Sequence, residues 1–176
     1  MYLIFLSKDI LGSTIKKANL DFKSNQLAML FNIIIGLFVI GITVIIQGYG
    51  TNFWLHHIED TYGKLTDIRF NKQSSKLLIF TSFFLLILHF IESAIWAFTF
   101  YLLPGITEFE SLEKAIYFSL VTFTTLGYGE ITISSTNRIL AGFEAINGIL
   151  LIGWSTAFMF SVVQYIWKRE FKKEDQ

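Results

Sequence analysis

The segment Thr124-Thr125-Leu126-Gly127-Tyr128-Gly129 is the arrangement in this sequence best suited to binding chemistry. It follows a short apolar stretch and precedes a long one. The two glycines permit backbone angles that a residue with a Cβ resists. Backbone carbonyls that point towards a central axis can replace the water shell of a dehydrated cation. The side chains would then point away from the ion and hold the carbonyls in place.

Polar and ionisable residues also occur inside the long apolar stretches, as two pairs. His89 and Glu92 are three residues apart, as are Glu144 and Asn147, so each pair shares one face of a helix. Such groups are costly at membrane depth and seldom face lipid, and burial favours the neutral forms of His89 and Glu92. They form either a proton-sensitive element or a hydrogen-bonded pair that orients two helices. We expect Glu144 to contact the preceding short helix or the His89–Glu92 face.

Metal chemistry is a further hypothesis for two groups of residues. His89, Glu92 and Glu144 would suit an intramembrane metalloenzyme, but no second histidine stands at ligand spacing. His56-His57 lies beside Glu59-Asp60, yet adjacent histidines point in different directions. A solvated or interfacial loop is therefore the favoured interpretation of that region.

The composition predicts a membrane protein. Of the 176 residues, 53% are hydrophobic and only 16% are charged, and the apolar residues form runs long enough to cross a bilayer. The formal net charge is zero, so no basic face favours nucleic-acid binding. Cysteine is absent, which excludes disulfides and thiolate metal sites.

The apolar runs divide the chain into elements. Leu27 to Ile46 carries no charge and is long enough to span the hydrocarbon. Pro104-Gly105 ends the second long run. Ser111 is a candidate N-cap for a helix too short to cross, which must enter the membrane and return. We therefore predict an N-terminal interfacial segment or partly ordered terminus (1–26), a first span (27–47), a polar connection (48–75) and a second span (76–103). A short helix (112–123), a third span (138–167) and a tail (168–176) follow.

The run from Ala115 to Glu130 resembles the pore region of the potassium-channel superfamily. It is most similar to the pores of two-pore-domain channels and their small bacterial relatives. Leu126 stands where Val or Ile is usual in the family, and Glu130 stands where Asp is usual. The resemblance covers roughly residues 76–167. It implies an all-α membrane protein with three transmembrane helices, and with a re-entrant pore helix and a selectivity-filter loop (124–129) between the second and the third.

The resemblance implies passive, potassium-selective conduction through a homotetramer, because each chain has one pore loop and four strands are needed to surround an ion. K⁺ would bind carbonyl oxygens of residues 125–128, with the Thr125 hydroxyl completing the innermost site. Glu130 would concentrate cations at the outer mouth. Gly148 and Gly153 would permit bending of the inner helix, and tight packing is the alternative. The whole predicted filter is Thr124, Thr125, Leu126, Gly127, Tyr128 and Gly129.

Positive charge just past a span indicates the cytoplasmic side. Lys168 and Arg169 follow Trp167, so we predict a multi-pass protein of the cell membrane with a cytoplasmic C-terminus and a filter that faces outside. Three spans then place the N-terminus outside, although four lysines lie within its first 23 residues. The lipid bilayer is the expected environment, and no cofactor is predicted besides permeant K⁺. A weakly selective cation channel and a non-conducting subunit that regulates an unknown partner are the alternatives to a potassium channel, and enzymatic activity is not expected.

Overall fold

The part of the chain that the computed structural model describes, residues 2–62, 73–133 and 137–174, is helical and contains no strand. Its four helices are α1 (Tyr2–Tyr62), α2 (Gln73–Leu102), α3 (Leu112–Phe123) and α4 (Arg138–Glu174). Three of them, α1, α2 and α4, are long and apolar enough to cross a membrane. The prediction of an all-α protein with three membrane-length helices is therefore confirmed.

Helix α1 is longer than the span predicted at its centre. It continues without a break through residues 2–26 and 48–62, although these were assigned to an interfacial segment and a polar connection. The charge-free run in fact reaches Leu55. The cost of a helical glycine, about 1 kcal/mol, is overcome by packing, since Gly50 lies against Leu88 of α2. Residues 63–72 of the predicted connection lie outside the described residues, and residues 73–75 belong to α2.

Helices α1 and α4 run side by side in the same direction. Asn32 Nδ2 donates a hydrogen bond to Asn137 Oδ1 (2.8 Å) just before α4 begins. Ile58, near the end of α1, belongs to the same buried cluster as Ile166, near the end of α4. At Gly36 the two helices approach closely, because a Cβ there would lie 2.8 Å from the ring of Phe143.

Aromatic side chains form the core where α2, α3 and the loop between them meet. Trp96 and Phe100 are fully buried on α2. The Phe100 ring meets Phe118 of α3 edge to face, with ring centroids 5.3 Å apart, and Phe109 packs against both. Aromatic pairs of this geometry add stability beyond the area that they bury. This core fixes α3 against α2.

The opposite end of α2 is joined to α1. Trp54 of α1 stacks on Phe84, with ring centroids 4.4 Å apart, and its Nε1–H donates to Thr81 Oγ1 (2.9 Å). Leu77 is buried with Ile58 in the same region. Helix α2 therefore runs against the direction of both α1 and α4. Helix α4 itself continues to Glu174, past the predicted end at residue 167.

Candidate functional site

Helix α3 begins at a polar cap. Ser111 Oγ accepts a hydrogen bond from the Lys114 backbone N–H (3.3 Å), and Glu113 stands in the first turn, where the helix dipole favours negative charge. Lys114 Nζ also donates to Glu110 Oε2 (2.6 Å). This hydrogen bond and the charge of Lys114 lower the pKa of the Glu110 carboxyl. With 12 residues, α3 is about 18 Å long, which is shorter than the hydrocarbon thickness of about 30 Å.

The chain turns sharply where α3 ends. The N–H of Thr125 donates to the Thr122 carbonyl (2.9 Å), and the N–H of Leu126 donates to the Val121 carbonyl (2.9 Å). The Thr124 hydroxyl also bonds back, to the carbonyl of residue 120. The first amides of segment 124–129 are therefore directed towards the last turn of α3.

Backbone handedness alternates along this segment. The angle φ is positive at Thr125 (61°), Gly127 (54°) and Gly129 (79°), and it is not positive at Leu126 or Tyr128. In a chain that alternates between left-handed and right-handed residues, successive N–H groups converge on one side, so the carbonyl oxygens face the other. A β-branched residue with positive φ is strained by about 1–3 kcal/mol and persists only where its surroundings impose that conformation.

Residues 124–129 are exposed within one chain. No described residue donates a hydrogen bond to the carbonyl oxygens of residues 125–128. The side chains of Leu126 and Tyr128 are 60% and 63% exposed. The row of carbonyl oxygens is therefore available to a ligand, and the apolar side chains beside it are available for contact.

The residue that follows the segment is held by α3. Tyr117 Oη donates a hydrogen bond to Glu130 Oε2 (3.1 Å). A cavity of about 520 Å³ lies between α3, the segment and the start of α4, and Tyr117, Tyr128 and Ala141 are among its lining residues. The acidic side chain predicted at an outer mouth is thus tied to the same helix that precedes the segment.

The four residues predicted as an intramembrane polar cluster make separate contacts. His89 Nδ1 lies 2.9 Å from Glu92 Oε2, within α2, and the His89 ring lies beside the ring of Phe123 on α3, with ring centroids 5.9 Å apart. The Glu144 carboxyl contacts Ser119 Oγ on α3. Asn147 Nδ2 donates to an oxygen of α1, the Thr43 hydroxyl (2.8 Å).

Metal-ligating side chains are not gathered in the described ranges: no three His, Asp or Glu residues there form a candidate site. His56 and Glu59, on the exposed end of α1, are 3.8 Å apart. Neither Asp60 nor His57 completes a set of metal ligands with His56 and Glu59, and Glu144 does not complete one with His89 and Glu92.

Residues 77–165, just over half of the chain, match the family of proteins described as ion channel. This chain belongs to that ion channel family. A segment of 71 residues is also 34% identical to potassium voltage-gated channel subfamily A member 4 of Homo sapiens and of Mus musculus. The same identity and length are found with subfamily A member 5 of Oryctolagus cuniculus.

The matched segment covers 40% of this chain, but only 11% of the member 4 relatives and 12% of the member 5 relative. No solved structure matches the chain. The family match and the similarity to potassium channels confirm a pore of the potassium-channel superfamily. These findings point to an ion channel rather than an enzyme. They also support a location in a membrane.

The two glycines predicted as a bending or packing element of this channel differ in their surroundings. A Cβ on Gly148 would overlap the carbonyl oxygen of Phe123 and lie 2.8 Å from its carbonyl carbon. Around Gly153 nothing lies within 4 Å. Gly148 is therefore a point of close contact between α4 and the end of α3.

Two hydroxyl residues of the channel's polar contacts, Ser93 and Ser119, did not stand out in the sequence. Ser119 contacts both Ser93 and Glu144, and the Thr43 hydroxyl accepts a hydrogen bond from Asn147. Each lies in an apolar stretch where small polar residues are common at helix interfaces. The signal that could have found them is their periodicity, since Ser119 lies four residues before Phe123 and one turn after Ala115 on the buried face of α3.

Proposed function

We propose that four copies of this chain form a potassium-selective channel, in which segment 124–129 is the selectivity filter. Carbonyl oxygens of Thr125, Leu126, Gly127 and Tyr128 from each copy coordinate dehydrated K⁺ at successive sites, and the ions move passively along them. The Thr125 hydroxyl completes the innermost site, and Glu130 raises the cation concentration at the outer mouth.

The observation that carries this proposal is the alternating backbone of the segment. Positive φ at Thr125, Gly127 and Gly129 directs successive carbonyls to one side, while the amides at the start of the segment bond to α3. Each chain supplies one such row of oxygens, and one row covers only one side of an ion. Four rows around an axis complete the coordination shell, which is why the working unit is a homotetramer.

The arrangement around the segment supports a re-entrant loop. Helix α3 is too short to cross the bilayer, and the chain turns back at its end. Its C-terminal end carries the negative end of the helix dipole, which favours a cation below the filter. Gly148 lets the inner helix α4 approach this end closely.

The proposed topology has the filter and the N-terminus on the outside and the C-terminal tail in the cytoplasm. Lys168 follows the third span, and positive charge marks the cytoplasmic side. Because α1 runs in the same direction as α4, its N-terminal end lies on the filter side. The contacts at Asn32 and Ile58 with the two ends of α4 favour a first span between these residues.

The test is flux of K⁺ into liposomes that contain the purified protein. We expect flux with the native chain and with Gly41→Ala, since nothing lies within 4 Å of Gly41. Gly127→Ser should abolish it, because a Cβ at φ 54° is strained. Equal flux of the two variants would contradict the filter assignment.

Two further measurements separate the alternatives. Reversal potentials in K⁺ against Na⁺ distinguish a selective channel from a weakly selective cation channel. The mass of the detergent-solubilised complex, less its bound detergent, should equal four chains. Absence of flux from an intact tetramer would favour the non-conducting subunit that regulates a partner protein.

A further inference from the structure

The hydroxyl of Ser119 is the meeting point of three helices behind the filter. Ser119 is fully buried on α3. Its Oγ lies 2.6 Å from the backbone carbonyl oxygen of Ser93 on α2 and 3.2 Å from Ser93 Oγ. It also contacts Glu144 Oε1 on α4. Three oxygens therefore surround a hydroxyl that has one hydrogen and two lone pairs.

Counting hydrogens decides the protonation of this group. The Ser93 carbonyl can only accept, so its 2.6 Å contact with Ser119 Oγ is a hydrogen bond only if Ser119 donates its single hydrogen there. The Ser93 hydroxyl supplies the hydrogen for the second contact. The third contact, with Glu144 Oε1, also needs a hydrogen, and only the carboxyl group itself remains to supply it. From this count we propose that Glu144 is a protonated carboxylic acid, and that it positions the pore helix by donating a hydrogen bond to Ser119.

The surroundings of Glu144 agree with a neutral side chain. Glu144 is fully buried, and its second oxygen, Oε2, has no hydrogen-bond partner among the described residues. Burial of an ionised carboxylate without several donors is strongly unfavourable. Two titratable residues of α2, His89 and Glu92, bond to each other. On its own helix the next polar residue, Asn147, donates to α1 instead.

Glu92 provides the contrast. It is buried to the same extent as Glu144, but His89 Nδ1 lies 2.9 Å from its Oε2 and can donate to an ionised carboxylate. Glu144 has no such donor, since the one hydrogen of Ser119 is already used. Both acids have one oxygen without a partner among the described residues, but only Glu92 has a side-chain donor beside it that an ionised form could use.

The position of the hydrogen bond links it to the filter. Ser119 precedes Phe123 by one helical turn, and the filter begins directly after Phe123. Gly148, one turn after Glu144, lies so close to the Phe123 carbonyl that a Cβ there would overlap it. The last turn of the pore helix is thus held by a donated hydrogen bond and by a backbone contact from the same helix α4. The consequence for conduction rests on the proposed function, but the protonation of Glu144 does not.

Infrared difference spectroscopy at neutral pH tests the protonation directly. The spectrum of the native protein minus that of Glu144→Gln should contain the carbonyl stretch of a protonated carboxyl group. The matched control is Glu59→Gln, whose removed carboxyl is exposed on α1, and its difference spectrum should contain only carboxylate bands. Carboxylate bands in the Glu144→Gln difference spectrum would overturn the proposal, whether or not the protein conducts.

Potassium flux tests the positioning role. The amide of Glu144→Gln can donate to Ser119 as the acid does, so the flux of this variant should stay within about twofold of the native value. Glu144→Leu should lower the flux roughly tenfold, as expected for loss of one buried hydrogen bond. Equal flux of the Gln and Leu variants would refute the role. If the native protein carries no flux, the proposed function fails, and the infrared result still decides the protonation.

Discussion

Replacement of Gly148 by alanine tests the contact between the inner helix and the end of the pore helix. The added Cβ would lie 2.8 Å from the carbonyl carbon of Phe123 and 3.1 Å from its Cα, and would overlap the carbonyl oxygen. These are backbone atoms, which no change of rotamer can move away. Overpacking of this kind costs about 3 kcal/mol, and the gain in helix propensity offsets about 1 kcal/mol of it.

We therefore expect Gly148→Ala to destabilise the protein by a net amount of about 2 kcal/mol. Thermal unfolding in detergent, followed by circular dichroism, should show a Tm that is lower by about 4–8 °C. The matched variant on the same helix is Gly153→Ala, where nothing lies within 4 Å and the same gain in propensity should raise the Tm by about 2–4 °C.

The two glycine variants thus have opposite predicted signs. Because the clash falls on the residue before the filter, Gly148→Ala should also reduce K⁺ flux. A native or higher Tm for Gly148→Ala would refute the close approach, and with it the argument that a glycine is required for packing at this crossing.

Three further predictions concern side-chain contacts. Thr43→Val removes the acceptor on α1 for Asn147 Nδ2. It should destabilise the protein by about 0.6–1.7 kcal/mol in chemical unfolding, which is the range for interhelical hydrogen bonds in membranes. An unchanged unfolding midpoint would show that this hydrogen bond contributes nothing to stability. A double-mutant cycle of Tyr117→Phe and Glu130→Ala should show a favourable coupling between the two side chains, and strict additivity would exclude the hydrogen bond between them. The ion pair with Lys114 lowers the pKa of Glu110 below its usual 4.5. The contribution of this ion pair to stability is therefore present above pH 4.5 and is lost as the pH falls through the lowered pKa. Glu110→Gln should reduce stability at neutral pH but not at strongly acidic pH, and an equal effect at both would contradict the ion pair.

The filter segment shows how far sequence reasoning extends. The glycines at 127 and 129 indicated positive φ, because only glycine adopts it without steric cost. Positive φ at Thr125 could not be read from its residue type, since a β-branched residue avoids that conformation. The conformation at Thr125 accompanies hydrogen bonds to the last turn of α3, and these become visible only when the turn is built.

The first helix shows a feature that the sequence pattern did not indicate. We predicted a polar connection from residue 48 onwards, but α1 continues to Tyr62. Packing of Gly50 against Leu88 and stacking of Trp54 on Phe84 stabilise the helix there. Contacts with another helix outweigh a propensity difference of about 1 kcal/mol.

The sequence alone determined the helical class and the three membrane-length helices, and its resemblance to potassium-channel pores indicated where the pore segment lies. These follow from the length of apolar runs and from residues that act on their own backbone, such as the Ser111 cap and the filter glycines. The tertiary structure decided which helix faces meet. It placed Glu144 on Ser119 and Gly148 on Phe123, because contacts between residues distant in the chain depend on how whole helices pack, and no local pattern specifies that.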